Sequence, residues 1–178
     1  MPRHIAFLRA INVGGHTVKM DRLRGLFEDL SLANVETVIA SGNVLFDSKA
    51  KAATLEARIE RHLQAELGYA VDTFIRSPAE LEAILAHDPF ARSTQRTPES
   101  GLYIGFLKAT PRADVCRSLD GCLSPVDEFR IHARELYWSV NGGFSDSKFF
   151  GASIEKRLAG STTIRNVTTV RRIAALVA

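Results

Sequence analysis

Val35-Glu36-Thr37-Val38-Ile39-Ala40-Ser41-Gly42-Asn43-Val44-Leu45-Phe46 decides how this chain folds. Two short, largely apolar runs, Val35 to Ala40 and Val44 to Phe46, flank Ser41-Gly42-Asn43. Parallel strands need a crossover of a dozen or more residues, so a junction this short fixes an antiparallel hairpin. Upstream, His4 to Ile11 is almost continuously apolar and reads as a strand buried on both faces, with Arg9 sharing a face with Ile5, Phe7 and Ile11. Asn12 to His16 is a turn, and Met20, Leu23, Leu26, Phe27 and Leu30 recur at helical spacing. Downstream, Leu55, Ile59, Leu63 and Leu67 line a second helix that Gly68 is placed to cap, and Tyr69 to Arg76 reads as a strand. The order β-α-β-β-α-β is the split βαβ of a ferredoxin-like unit.

Ser77-Pro78-Ala79-Glu80 opens a further helix: Ser77 can cap the Glu80 amide, Glu80 can reach back, and Pro78 suits the first helical position. Residues 88–100 form the longest polar stretch without a period and serve as the candidate linker. The order then starts again. Leu102 to Lys108 is a strand, and Thr110-Pro111 opens a helix closed by Gly121. Val126 to His132 and Glu135 to Val140 make a second hairpin. A helix carrying Phe149, Phe150, Ile154 and Leu158 ends at Gly160, and Thr162 to Ile164 reads as a short strand. Asn166 caps a last helix with Val167, Val170, Ile173 and Val177 on one face. The expected architecture is α+β: two ferredoxin-like β-α-β-β-α subdomains over residues 1–90 and 98–178, with mainly antiparallel sheets and helices on one face. The repeat is read in element order only, because the residues of the two halves show no match.

Composition bounds the function. At 178 residues, 46% hydrophobic and 24% charged, the chain is neither disordered nor collagen-like, and its core needs no staple. Cys116 and Cys122 are six apart, unlike a zinc or redox pair, and are expected as free thiols. The apolar run Ile5 to Leu8 is too short for an export signal or a membrane span, which makes the cytoplasm the default location. Residues 148–178 hold Lys148, Lys156, Arg157, Arg165, Arg171 and Arg172 against Glu155 alone, a basic segment able to attract anions or simply a solvated helix face.

Three stretches together resemble one family: Leu8-Arg9-Ala10-Ile11-Asn12-Val13-Gly14-Gly15, Ser41-Gly42-Asn43-Val44-Leu45-Phe46, and Thr162-Thr163-Ile164-Arg165-Asn166-Val167-Thr168-Thr169-Val170. The family is the bacterial group catalogued as domain of unknown function 1697, and the resemblance runs from Ile5 to the last helix. It implies an α+β protein with two ferredoxin-like subdomains and no defined activity. Val167 stands where the family pattern has an aromatic residue, commonly Trp.

The candidate chemistry is anion binding. The Gly14-Gly15 turn lies between a buried strand and a helix, with His16 and Lys19 close in sequence; its amides can hold an anion, or the glycines can simply make a tight turn. Neither a Walker loop nor a dinucleotide fingerprint is present. Arg9 is an anion clamp or the partner of a structural carboxylate. Arg165-Asn166, before the last helix, is a second anion-binding candidate or a cap with an ion pair. The expected ligand-binding residues are Arg9, Asn12, Gly14, Gly15, Lys19, Arg165 and Asn166. The expected function is binding of a phosphorylated or nucleotide-like small anion in a cleft between the subdomains. The alternatives are nucleic-acid binding, through the sheet face or the basic C-terminal segment, and a protein-interaction or structural module without a ligand. Ser41 has no base nearby in the pattern and reads as a turn residue. His4, His16, His62, His87 and His132 stand at no metal-ligating spacing, so neither metal nor cofactor is expected. Tyr137 and Trp138 alternate along a strand and are expected to face opposite ways.

Overall fold

The computed structural model describes residues 1–120, 122–149 and 151–178. The chain divides into two compact units, Met1–Glu82 with Ile173–Ala178, and Ala83–Arg172. The elements run β1 (Arg3–Leu8), α1 (Met20–Glu28), β2 (Ala33–Thr37), β3 (Asn43–Asp47), α2 (Ala52–Leu67), β4 (Thr73–Arg76), α3 (Pro78–Ala86), β5 (Gly101–Phe106), α4 (Ala113–Asp120), β6 (Asp127–His132), β7 (Glu135–Val140), α5 (Gly151–Leu158), β8 (Thr163–Asn166) and α6 (Val167–Val177). Two four-stranded sheets result, ordered β2-β3-β1-β4 and β6-β7-β5-β8, and every pairing is antiparallel. The expected helix end at Gly121 and the apolar position Phe150 lie outside the described residues.

In the first unit, Ala6, Leu8, Val44, Phe46 and Ile75 of the sheet pack with Leu23, Leu26 and Phe27 of α1 and Leu55, Ile59 and Leu63 of α2. Ile5, Phe7, Leu45 and Phe74 on the other face are also fully buried, so β1 is buried on both faces, as its unbroken apolar run requires. The strand stops at Leu8, earlier than Ile11, because Ala10 takes a left-handed φ of 64° and breaks the alternation. Ile11 consequently joins the helix-covered core rather than the face of Ile5 and Phe7. The β2–β3 hairpin forms, but its connection is longer than Ser41-Gly42-Asn43, since β2 ends at Thr37. Asn43 is fully buried there; its amide donates to Val38 O at 2.9 Å and to Ser41 Oγ at 3.0 Å. Gly42 has φ 76°, and a Cβ on it would stand 2.9 Å from Ile11 Cβ and 3.2 Å from Leu8 Cβ.

β4 lies at the edge of its sheet. Glu60 Oε1 accepts from the Thr73 amide at 2.7 Å, and Glu56 Oε1 from the Ile75 amide at 2.8 Å. The capping box of α3 is present: Glu80 Oε2 accepts from Ser77 N at 2.8 Å, and Ser77 Oγ from Glu80 N at 3.2 Å. Gly68 ends α2 in the left-handed conformation, φ 80°.

In the second unit, Phe129, Leu136, Trp138 and Val140 pack with Leu119 of α4 and with Ile154 and Leu158 of α5. Trp138 joins this core, whereas Tyr137, also buried, points the other way and donates to Ile84 O at 3.2 Å. Asp127, 1% exposed, is a hub: its Oδ1 accepts from Trp138 Nε1 at 2.9 Å and Ser147 Oγ at 2.6 Å, its Oδ2 from Ser124 Oγ at 3.0 Å. The stretch 88–100 is anchored within this unit. Arg96 grips both oxygens of Asp88 at 2.8 Å, Ser93 donates to Glu128 at 2.5 Å, and Ser100 bonds Asn141. Both thiols are free.

The halves match in residues after all, once strand register aligns them. Ile5 faces Arg76, Ala6 faces Ile75 and Phe7 faces Phe74; Ile104 faces Arg165, Gly105 faces Ile164 and Phe106 faces Thr163. Ile5-Ala6-Phe7-Leu8 thus corresponds to Ile104-Gly105-Phe106-Leu107, and Thr73-Phe74-Ile75-Arg76-Ser77 to Thr162-Thr163-Ile164-Arg165-Asn166. Glu155 accepts from the Thr162 amide at 3.0 Å, as Glu60 does from Thr73. Asn166 Oδ1 accepts from Thr168 N at 2.8 Å, capping α6 where Ser77 caps α3. Connections of unequal length hide this repeat from a linear comparison.

Gly42→Ala is expected to cost about 2–4 kcal/mol, combining left-handed strain with overpacking against Ile11 and Leu8. Chemical denaturation of the purified variant checks this value. Glu56→Ala is expected to cost about 1–3 kcal/mol by removing the carboxylate acceptor of the Ile75 amide, and Glu56→Gln, which retains an acceptor oxygen, less than half of that in the same measurement.

Candidate functional site

Arg9, Asn12, Gly14, Gly15 and Lys19 all belong to the β1–α1 connection of the first unit. Its path is set by left-handed residues: Ala10, Asn12 (φ 54°), Gly14 (φ 63°) and Gly15 (φ 87°). Asn12 is committed to the scaffold. Its Nδ2 donates to Ala40 O at 2.8 Å and its Oδ1 accepts from Val18 N at 2.7 Å, which ties this connection to the β2–β3 connection. Arg9 lies beside Asp72, with its amide donating to Asp72 O at 2.9 Å and its Nη1 3.7 Å from Asp72 Oδ2. His16 stacks on Tyr69, ring centroids 3.7 Å apart at 17°, and burial raises the Tyr69 hydroxyl pKa against the opposing charge of Arg22.

Gly14 and Gly15 are exposed, and a Cβ on either would meet nothing within 4 Å. Their amides donate to no group among the described residues. Helix α1 starts at Met20 with Lys19 as its cap residue, so the Gly-Gly turn precedes the helix rather than opening it. Lys19 is exposed and makes no side-chain capping bond. The arrangement offers two open amides, one exposed lysine and a half-exposed guanidinium, which suits an anion. Ser41 Oγ accepts from Asn43 and belongs to the hairpin turn.

Arg165 and Asn166 lie in the second unit. Arg165 is 8% exposed; its Nη1 donates to Thr163 Oγ1 at 2.8 Å and Ile164 O at 3.0 Å, and burial pushes its pKa down to about 10, leaving it charged at neutral pH. Arg76, its counterpart, is fully buried and donates to Ile75 O at 2.8 Å. Among the described residues no cluster of three or more His, Cys, Asp or Glu side chains could hold a metal ion, and no helix is long and apolar enough to cross a membrane.

Two four-stranded antiparallel sheets, each carrying helices, with a glycine turn after the first strand, define an α+β protein of duplicated β-α-β-β-α units. The chain belongs to the family described as Protein of unknown function (DUF1697), whose model matches residues 1–137. Its fold is similar to that of the conserved bacterial protein SP0830 from Streptococcus pneumoniae, at TM-score 0.80 and 22% identity over 99% of each chain. No curated protein matches it.

The sequence gives no sign of one further cluster. His87, just after α3, and His132, at the end of β6, stack with centroids 3.9 Å apart at 21°, and Tyr137 meets His87 edge-on at 5.3 Å. Burial lowers the His87 pKa below its ordinary 6.5, His132 lowers it further and Asp88 opposes. The folded state therefore favours neutral His87. On acidification the unfolded chain takes up this proton first, near pH 6.5, and stability falls as pH drops toward the lower folded value. Thermal melts from pH 8 to pH 5 are expected to show a shallower loss in His87→Gln than in the unsubstituted protein, and parallel curves would refute the coupling.

Proposed function

We propose that the first unit binds a small phosphorylated or nucleotide-like anion at the Arg9–Lys19 connection. The observation that carries this reading is the pair Gly14 and Gly15, whose amides have no acceptor among the described residues and whose surroundings are open. Backbone amides in such a turn form an anion-binding concavity, and Lys19 and Arg9 supply charge on either side of it. Asn12 serves this site by fixing the turn through Ala40 and Val18. Each unit is read as ferredoxin-like and the protein as cytoplasmic. The aromatic residues Tyr137 and Trp138 are both buried, which favours the small anion over a single-stranded nucleic acid stacked on the second sheet. Arg165 and Asn166 stay proposed as anion ligands of the second unit, beside the bonds they make within it.

A thermal-shift screen of nucleotides, sugar phosphates and inorganic phosphate tests the reading, because a ligand of the native state raises the melting temperature. For a compound that scores, Lys19→Ala is expected to weaken binding by about 1.5–3 kcal/mol, roughly tenfold or more, with the fold intact. Unchanged affinity in both Lys19→Ala and Arg9→Ala would remove the connection from the site. A steep loss of affinity with salt, shared by any oligonucleotide, would favour the nucleic-acid alternative.

A further inference from the structure

The two units build the same pair of connections to different ends. In the first, the β1–α1 and α2–β4 connections close on each other through the His16–Tyr69 stack and the meeting of Arg9 with Asp72. Strand register supplies the counterparts in the second. Leu107 corresponds to Leu8, so Lys108 corresponds to Arg9. Helix α5 ends at left-handed Ala159 (φ 52°) as α2 ends at left-handed Gly68, which puts Gly160 at the position of Tyr69. Ser161, before Thr162, takes the place of Asp72, before Thr73. The β5–α4 connection is also shorter and has no counterpart of His16.

With the counterparts of the aromatic pair and of the carboxylate both absent from its sequence, the second unit has an opening of about 580 Å3 at the place where the His16–Tyr69 stack and the Arg9–Asp72 meeting stand in the first. Its walls are apolar, chiefly Leu107, Pro111, Val115 and Leu158, and Lys108 and Arg112 stand among them. Among the described residues that line it none is a carboxylate. Arg112 is exposed and engages Asp114 at 2.9 Å and 3.2 Å, a surface pairing that solvent screens. The volume falls within the roughly 300–1,000 Å3 of small-molecule sites, which combine apolar walls with a few placed polar groups.

We propose that this opening binds a small organic anion with an apolar body, its carboxylate or phosphate head held by Lys108 and Arg112 and its body laid against Leu107, Pro111, Val115 and Leu158. This site is separate from the glycine turn of the first unit, and either can fail without the other.

Methyl NMR of the full chain, titrated with octanoate, hexyl phosphate and octanol, tests the proposal. The methyls of Leu107, Val115 and Leu158 are expected to shift with octanoate or hexyl phosphate, the stronger of the two naming the head group, and much less with octanol. Gly160→Tyr restores the first unit's aromatic residue at this position and is expected to weaken the anionic probe by about tenfold or more. A Cβ at Gly160 meets only Leu158 O, at 3.9 Å, so the backbone accepts a side chain there. Should that variant not fold, Ser161→Asp sets a carboxylate beside the head-group position and is expected to weaken the same probe comparably. The proposal is overturned if neither anion moves these methyls at up to about 10 mM, tenfold above a weak 1 mM Kd. Equal shifts with octanol, or undiminished binding in the folded variant, overturn it as well.

Discussion

The outward amides of an edge strand must be answered, and in this fold helix carboxylates answer them. Thr73 and Ile75 are two residues apart in β4, about 6.7 Å along a strand, while Glu60 and Glu56 are one turn apart on α2, about 6 Å along a helix. The two repeats nearly coincide, so a single helix face satisfies both amides and locks the helix to the strand in one register. The same contacts occupy two amides of this edge strand, which makes it a poorer template for pairing with another chain. The second unit keeps one of the two, Glu155 on Thr162; Gly151 stands four residues before Glu155, where Glu56 stands before Glu60. Ile154 and Leu158 of α5 pack into the core of this unit beside that tie.

What the sequence made legible was local. The hairpin around Gly42, the capping box at Ser77, the end of α2 at Gly68 and the cap at Asn166 each rest on residues within a few positions of one another, and each is present. What it hid was long-range. Nothing near Ala10 announces that it turns left-handed and sends Ile11 to the other core, because the cause is the path the connection must take toward Ala40. Asn12 reads as a turn residue or a ligand group, whereas its side chain bonds partners 28 and 6 residues away. The end of α5 illustrates the same limit in small: Ala159, not Gly160 beside it, adopts the left-handed turn.

The internal repeat shows how duplicated units part company. The strands that carry the core, with one residue flanking them, keep their residues: Ile, Phe and Leu at the first strand of each unit, Thr, Ile and Arg at the last. Arg76 and Arg165 both turn back onto the carbonyl of the preceding residue, a way of housing a buried guanidinium that the strand supplies by itself. Gly105 replaces Ala6 because Thr162 Oγ1, which donates to Phe106 O, would lie 3.0 Å from a Cβ there. The connections, free of those constraints, have diverged: one is long, glycine-bearing and pinned by Asn12, the other short and open beside Lys108.

Trp138 is the chain's sole tryptophan, and its indole N–H ends on Asp127 within a cage of Phe129, Tyr103 and Phe144. Its ultraviolet emission is therefore a reporter confined to the second unit, sensitive to the carboxylate beside it and blind to the first. Circular dichroism sees the helices of both. Superposed unfolding curves from the two signals would mark one cooperative transition, and separated curves would give each half of the duplicated chain its own stability, readable without any engineered label.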